Sequence, residues 1–186
     1  MENQDLKYLL ELKAELKREL IIELKDELSI KSEVELKIKN VSTNLDPSYA
    51  NPGDSGFDLR AWFEGMNKTM SITLKPLERM LIHTGLYLDI PKNYEIQVRP
   101  RSGCSNKLGL TVVNTPGTVD EPYVGEICII AINLSNQNLQ IVNGDRIAQA
   151  VLMPVSNSNL TKIVMVSEII KETERGSSGF GDSGIK

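Results

Sequence analysis

From Val34 onward the chain is cut into short apolar runs that no helix could use. VELKIKNV alternates apolar and polar residues, and further runs follow at SITL, MLIHTGLYLDI, YEIQVRP, LTVVN, EICIIAINL, LQIV and RIAQAVLMPV. Alternation with a period of two is the mark of a half-buried strand. Turn formers separate the runs, at DPSYANPGDSG, LKPLE, IPKN, NTPG, LSNQN and VNGD. Many short strands with no helical pattern between them predict an antiparallel barrel or sandwich and argue against a βαβ fold. Nothing in this part repeats, and only SNSN at 156–159 reads as a linker.

The first 33 residues have the opposite texture. MENQDLKYLLELKAELKRELIIELKDELSIKSE contains no Gly or Pro and is built from Leu, Glu and Lys, which are strong helix formers. At about 100° per residue, Leu6, Leu9, Leu10, Leu12, Leu16, Leu20, Leu24 and Leu28 fall within an arc of roughly 160°. An amphipathic helix is expected over 1–33. Its leucines recur every fourth residue from Leu12 to Leu28, so the stripe drifts around the helix instead of keeping a heptad seam. The polar face mixes Glu11, Glu15, Glu19 and Glu23 with Lys13, Lys17 and Lys25, unlike a basic membrane-surface helix. Packing on its own domain, bundling with copies of itself and contact with a protein partner are the uses open to it.

A net charge of −4 and a pI near 5.2 argue against a protein that holds long nucleic acid by counterion release, although a small phosphorylated ligand needs only a few local cations. Two cysteines, Cys104 and Cys128, cannot build a disulfide framework, and with the single histidine, His83, they show no zinc-ligand spacing. His83 precedes a Thr-Gly turn, where strand-end packing or solvent exposure is the expected fate. No apolar run approaches the roughly 20 residues of a membrane span, and no signal-like start is present, so a cytoplasmic protein is expected.

Five polar segments carry residue types suited to a nucleotide. SGFDLRA at 55–61 sets Asp58 between apolar neighbours, where a carboxylate needs a partner or a task. PRSG at 100–103 offers a cation, a hydroxyl and an unobstructed N–H in Arg101, Ser102 and Gly103. NTPGTVDEPYVGE at 114–126 reads as a hairpin with Asp120 and Tyr123 near its turns. GDRIAQ at 144–149 turns on Gly144 and enters a strand with Arg146 and Gln149. RGSSGFGDSG closes the chain at 175–184, where composition alone suggests a frayed tail. Taken singly, ordinary turn and cap roles explain each segment as well as chemistry does, because Gly, Asp and Ser are the commonest turn residues.

In this order and spacing, SGFDL, PRSG, NTPGTVDEPYVGE, GDRIAQ and RGSSGFG resemble the five motifs of the trimeric dUTPases, the dUTP nucleotidohydrolases. The resemblance covers roughly residues 34 to 186. It implies a mainly β fold, a jelly-roll-type barrel over 34–170, preceded by the accessory helix at 1–33 and followed by a flexible C-terminal arm at 171–186 that closes over the active site. It further implies a homotrimer with active sites at subunit boundaries and hydrolysis of dUTP to dUMP and pyrophosphate. Asp120 would be the base that deprotonates the attacking water. The Asn114 amide would pair with the uracil edge, with backbone contacts around Thr118, Val119 and Cys128, so that Cys128 serves through its peptide group. Tyr123 would lie against the deoxyribose and exclude a 2′-hydroxyl. Ser102, the Gly103 N–H and Gln149 would meet phosphates, Arg101 would add charge, and Asp58 and Arg146 would orient the others. In the arm, Phe180 would stack on the uracil, Arg175 would meet the γ-phosphate, and N–H groups near Ser177, Gly179 and Gly181 would ring the phosphates. The implied cofactor is Mg2+, held mainly by the triphosphate and water. The expected location is the cytoplasm, or the host cytoplasm for a viral copy.

Two other readings share these motifs. A dCTP deaminase of the same barrel needs a glutamate one strand beyond the hairpin, and Ile130 stands there instead, which cannot shuttle protons. A nucleotide-sensing signalling protein would use residues 1–33 to bind its partner. Against it, the motif positions keep chemically competent residues.

Overall fold

The structure, a computed structural model, describes residues 10–20, 34–65, 69–169, 173 and 176. Helix α1 spans residues 10–20, inside the expected amphipathic segment, and the rest of that segment lies outside the described residues. Every position of α1 is exposed, including its leucines Leu10, Leu12, Leu16 and Leu20.

Beyond α1, the described residues up to Val155 form ten strands and one short helix. β1 (Lys37–Asn40), β4 (Arg79–Asp89), β8 (Glu126–Asn133) and β6 (Leu110–Val112) form one four-stranded sheet in the order β1-β4-β8-β6. β2 (Phe57–Arg60), β10 (Arg146–Pro154), β5 (Tyr94–Pro100) and β7 (Gly117–Val119) form a second, in the order β2-β10-β5-β7. β3 (Ser71–Leu74) and β9 (Leu139–Val142) pair as a two-stranded sheet. All pairings are antiparallel. The fold is mainly β, of the jelly-roll type the sequence leads one to expect.

Alternation decides which residues fill the interior. β8 buries Ile127, Ile129, Ala131 and Asn133 and leaves the residues between them half-buried. Ile96 and Val98 of β5, Phe57 and Leu59 of β2, and Ile82 of β4 join them, so one buried cluster draws on both four-stranded sheets. Burying a side chain of this size is worth about 1.5–3 kcal/mol, and close packing makes each loss felt. The polar exception is satisfied: Asn133 Nδ2 donates to Leu74 O and Gln137 O, and its Oδ1 accepts from Ser135 N.

PRSG, whose local structure the sequence left open, starts a helix, α2 (Ser102–Leu108), capped at its C-terminus by Gly109 in the left-handed conformation. One local expectation is corrected. NTPGTVDEPYVGE is not a hairpin. β6 and β8 pair with each other, while β7 leaves that sheet and pairs with β5 of the other. The connection therefore crosses from one sheet to the other and back, which exposes both of its ends.

The second unit, Ser156–Lys186, begins at the Ser-Asn-Ser-Asn stretch. Its described residues 156–169 contain no strand, and Leu160, Ile163, Val164, Met165, Val166 and Ile169 are exposed.

Candidate active site

A pocket of about 220 Å³ opens where the crossing connection leaves β5. Asn114, Thr118, Val119, Asp120, Tyr123 and Cys128 line it, with an apolar wall that includes Leu81, Val98 and Ile130. Asn114 precedes a cis Thr115–Pro116 bond, and its amide lies close over Gly117, where an added Cβ would stand 3.1 Å from Asn114 Nδ2. Asp120 follows the end of β7 and is exposed, and its carbonyl accepts the Tyr123 N–H at 3.0 Å to close a turn. Tyr123 Oη donates to Glu126 O at 2.9 Å, which lays the ring back along the connection. The result is a small, largely apolar slot with one amide, Asn114, and two carboxylates, Asp120 and Glu126, among its lining groups, suited to a flat ring with a polar edge.

A second pocket, of about 330 Å³, brings together Asp58, Arg101, Ser102, Gly103, Arg146 and Gln149. Register explains the meeting: β10 lies between β2 and β5, so Gln149 stands opposite both Asp58 and Arg99, next to the start of α2. Asp58 holds two guanidinium groups at once, with Arg101 Nε 2.6 Å from Oδ1 and Arg146 Nη1 3.0 Å from Oδ2. Gln149 Nε2 donates to Pro100 O at 2.9 Å. Two cations around one carboxylate, with a hydroxyl and helix-start N–H groups beside them, suit an anion rich in oxygen.

Thus the structure gathers the expected residues into two groups, and no residue lines both pockets. Arg175, Ser177, Phe180 and Gly181, with Gly179, lie outside the described residues. Two nearby residues, His83 and Glu126, have no site role in the sequence reading. His83 is exposed, one of the two fates expected for it, but it lies within β4 and not at a strand end, directly opposite Cys128, and its Nδ1 is 2.7 Å from Glu126 Oε2. The alternation E-I-C, which puts Glu126 and Cys128 on one face, was the available signal. Burial by itself pushes the Glu126 carboxyl up, but hydrogen bonds from His83, Gly85 and Thr84 and the His83 charge outweigh it and hold the group below its usual value. Burial and then the Glu126 charge push the Cys128 thiol up.

Among the described residues no helix is long and apolar enough to cross a membrane. The dUTPase family model matches residues 43–184. Relatives named deoxyuridine 5′-triphosphate nucleotidohydrolase include those of Finegoldia magna, 48% identical with 79% of this chain and 96% of that protein covered, and of Treponema denticola, 47% identical with 76% and 92% covered. Among solved structures, a variant dUTPase of Staphylococcus bacteriophage 80alpha with dUpNHpp superposes with a TM-score of 0.69 at 25% identity, over 82% of this chain and all of that one. A variant dUTPase of phage phi11 of S. aureus, described with a structural Mg(II) ion, shares the fold at a TM-score of 0.63 and 22% identity, over 74% of this chain and all of that one. With both pockets occupied by the motif residues and a family model matching most of its length, the chain belongs to the dUTPase family.

Proposed function

We propose that the chain hydrolyses dUTP to dUMP and pyrophosphate. The observation that carries this reading is the division of labour between the pockets: one has the size and polarity for a pyrimidine, the other the cations for a triphosphate. Water attacks the α-phosphorus, the bond to the bridging oxygen breaks, pyrophosphate leaves, and Asp120 takes the proton of the attacking water. Asn114 reads the uracil edge, Thr118, Val119 and Cys128 add backbone contacts, and Tyr123 crowds the sugar so that a 2′-hydroxyl is refused. Arg101, Ser102, Gly103 and Gln149 hold the phosphates, with Asp58 and Arg146 fixing their geometry. Residues 171–186 act as the closing arm, with Phe180 against the base, Arg175 at the γ-phosphate and the N–H groups near Ser177 and Gly181 around the phosphates. Closure would expel water and strengthen every polar contact inside.

Neither pocket alone contains both the base-reading and the phosphate-holding groups. A homotrimer in which the first pocket of one subunit meets the second pocket of its neighbour completes the site, and this supports active sites shared between subunits. The donor set also bears on the metal. Only one group of three His, Cys, Asp or Glu ligands occurs among the described residues, and it mixes nitrogen, sulfur and oxygen. Magnesium prefers oxygen and keeps several waters, so it would be held mainly by the triphosphate oxygens and water and needs no ligand cluster of the chain. When bound, it supplies charge neutralisation on the phosphates. Cytoplasmic action on the nucleotide pool goes with this reading.

Pyrophosphate release from dUTP with magnesium, measured beside dCTP, dTTP and UTP, tests the proposal. Turnover confined to dUTP is expected. Silence on dUTP would overturn it, and deamination of dCTP would move the chain to the related activity that Ile130 in the pocket wall argues against.

A further inference from the structure

Glu126 and Cys128 line the first pocket, His83 lies beside both of them, and the reaction above uses none of their side chains. Glu126 and Cys128 are two apart on β8 and share a face, and His83 of β4 is the direct cross-strand partner of Cys128. Their ligand atoms all lie within 4.8 Å of one another. His83 Nδ1 is 2.7 Å from Glu126 Oε2 and 3.6 Å from Cys128 Sγ. Zinc bonds of about 2.0–2.1 Å to N and O and about 2.3 Å to S, in a tetrahedron, require ligands roughly 3.3–3.6 Å apart. The His83–Cys128 spacing already meets that requirement. The His83–Glu126 pair would open by roughly half an ångström as an ion replaces the hydrogen between them.

The carboxylate is also held for the task. The ladder between β4 and β8 is irregular from His83 to Tyr87, and there Glu126 Oε1 accepts the N–H groups of Gly85 at 2.7 Å and Thr84 at 3.1 Å. Gly85 has φ 69°, and a Cβ on it would meet Ser42 Cβ at 2.7 Å, so the turn that presents these N–H groups cannot be rebuilt with another residue. With Oε1 fixed from behind, Oε2 faces His83. A ligand carboxylate oriented by hydrogen bonds to its other oxygen is the usual support of a metal site.

The geometry points to a three-ligand site for a zinc-class cation, formed by His83 Nδ1, Glu126 Oε2 and Cys128 Sγ, with water in the fourth position. A nitrogen, sulfur and oxygen set selects a borderline-soft d-block ion over magnesium. Because Glu126 and Cys128 line the first pocket, an ion held there sits at the entrance proposed for the base, and metal and nucleotide weaken each other's binding by the same factor. This second statement rests on the dUTP reading. The metal site itself does not.

The test uses untagged, full-length, nucleotide-free protein titrated with Co2+ and then with Zn2+. His83 is the only histidine, and Cys104, the only other thiol, is buried with Sγ 3.3 Å from Arg146 O, so a thiolate-to-cobalt absorption band with histidine ligation reports this site. One ion per chain is expected, with Zn2+ displacing Co2+. Cys128→Ser should abolish the band while Cys104→Ser keeps it. His83→Ala and Glu126→Gln should each weaken binding more than about tenfold, the least that losing even an outer partner of a metal site commonly costs. Thermal melts with a zinc-selective chelator show whether each variant folds, and His83→Gln provides a second, larger replacement. No saturable band, or parental affinity in folded His83→Ala and His83→Gln, overturns the site. Saturating dUMP should weaken Co2+ binding. A band indifferent to dUMP in protein that turns over dUTP would overturn the placement at the pocket entrance, whereas a chain that binds Co2+ but is silent on dUTP would sink the functional reading and leave the metal site standing.

Discussion

The two pockets hold their polar groups in opposite ways. In the first, Asn114, Asp120 and Tyr123 ride on a connection between strands and are exposed, with an apolar wall behind them. In the second, the charges hold one another, since Asp58 bridges Arg101 and Arg146 before any ligand arrives. Ion pairs this open contribute little to stability, so their effect is to fix position. A pocket for an uncharged ring gains from adaptable edges, whereas a pocket for phosphates gains from cations that need no reorganisation when charge develops.

The strongest way to break this comparison is Asp120→Asn. Turnover of dUTP should fall by about 10²–10⁴-fold, the ordinary worth of a general base, with nucleotide affinity nearly kept. Near-parental pyrophosphate release would show that the first pocket does not hold the base. Next comes a complementation test. Asp120→Asn damages the first pocket and Arg101→Ala the second. If sites join two subunits of a trimer, equal mixtures allowed to exchange should regain about one quarter of parental activity, because one boundary in four then has two intact halves. Mixtures as silent as either variant alone would place each site within a single chain.

Asp58→Asn should act more gently, raising KM for dUTP by about tenfold as both guanidinium groups lose their charged partner, with a smaller change in kcat. A loss confined to kcat would make Asp58 part of the chemistry and not of its support. The smallest effect is expected at Glu126. Its folded-state pKa is depressed, so its stabilisation is complete above the usual carboxylate value of 4.5 and is lost as pH falls through the lower folded value. In metal-free protein, the Tm difference between parent and Glu126→Gln should therefore be flat near neutrality and shrink on acidification. A difference that grows in acid would reverse the assignment.

The strands were legible because each carries its own record: EICIIAIN names its buried face by alternation, and VNGD or LSNQN marks where it stops. What local pattern cannot record is pairing. β7 is three residues long, and its union with β5 depends on Val98 meeting Gly117 across 18 intervening residues. Helix α2, at seven residues, is too short to show a helical period, so nothing in the sequence marked it. The motif residues that define the proposed site were all readable in sequence, yet their separation into two pockets was not, since it follows from which sheet each strand joins. The partners of His83 were hidden for the same reason. Its neighbours in sequence are a threonine and an isoleucine, and its neighbours in space are set by the register of β4 on β8.

Gly125 gives the first pocket an unusual kind of control. A Cβ placed there would stand 2.5 Å from Tyr123 Oη and 2.6 Å from its Cζ, so the ring keeps its place only because residue 125 has no side chain. Tyr123 is 46% exposed and the obstruction lies at the far end of its side chain, so one added methyl would swing the ring aside without disturbing the core. The sugar preference proposed for Tyr123 is thus adjustable from a neighbouring position that does not itself line the pocket. A lineage could relax or restore its discrimination between ribose and deoxyribose by gaining or losing a single carbon.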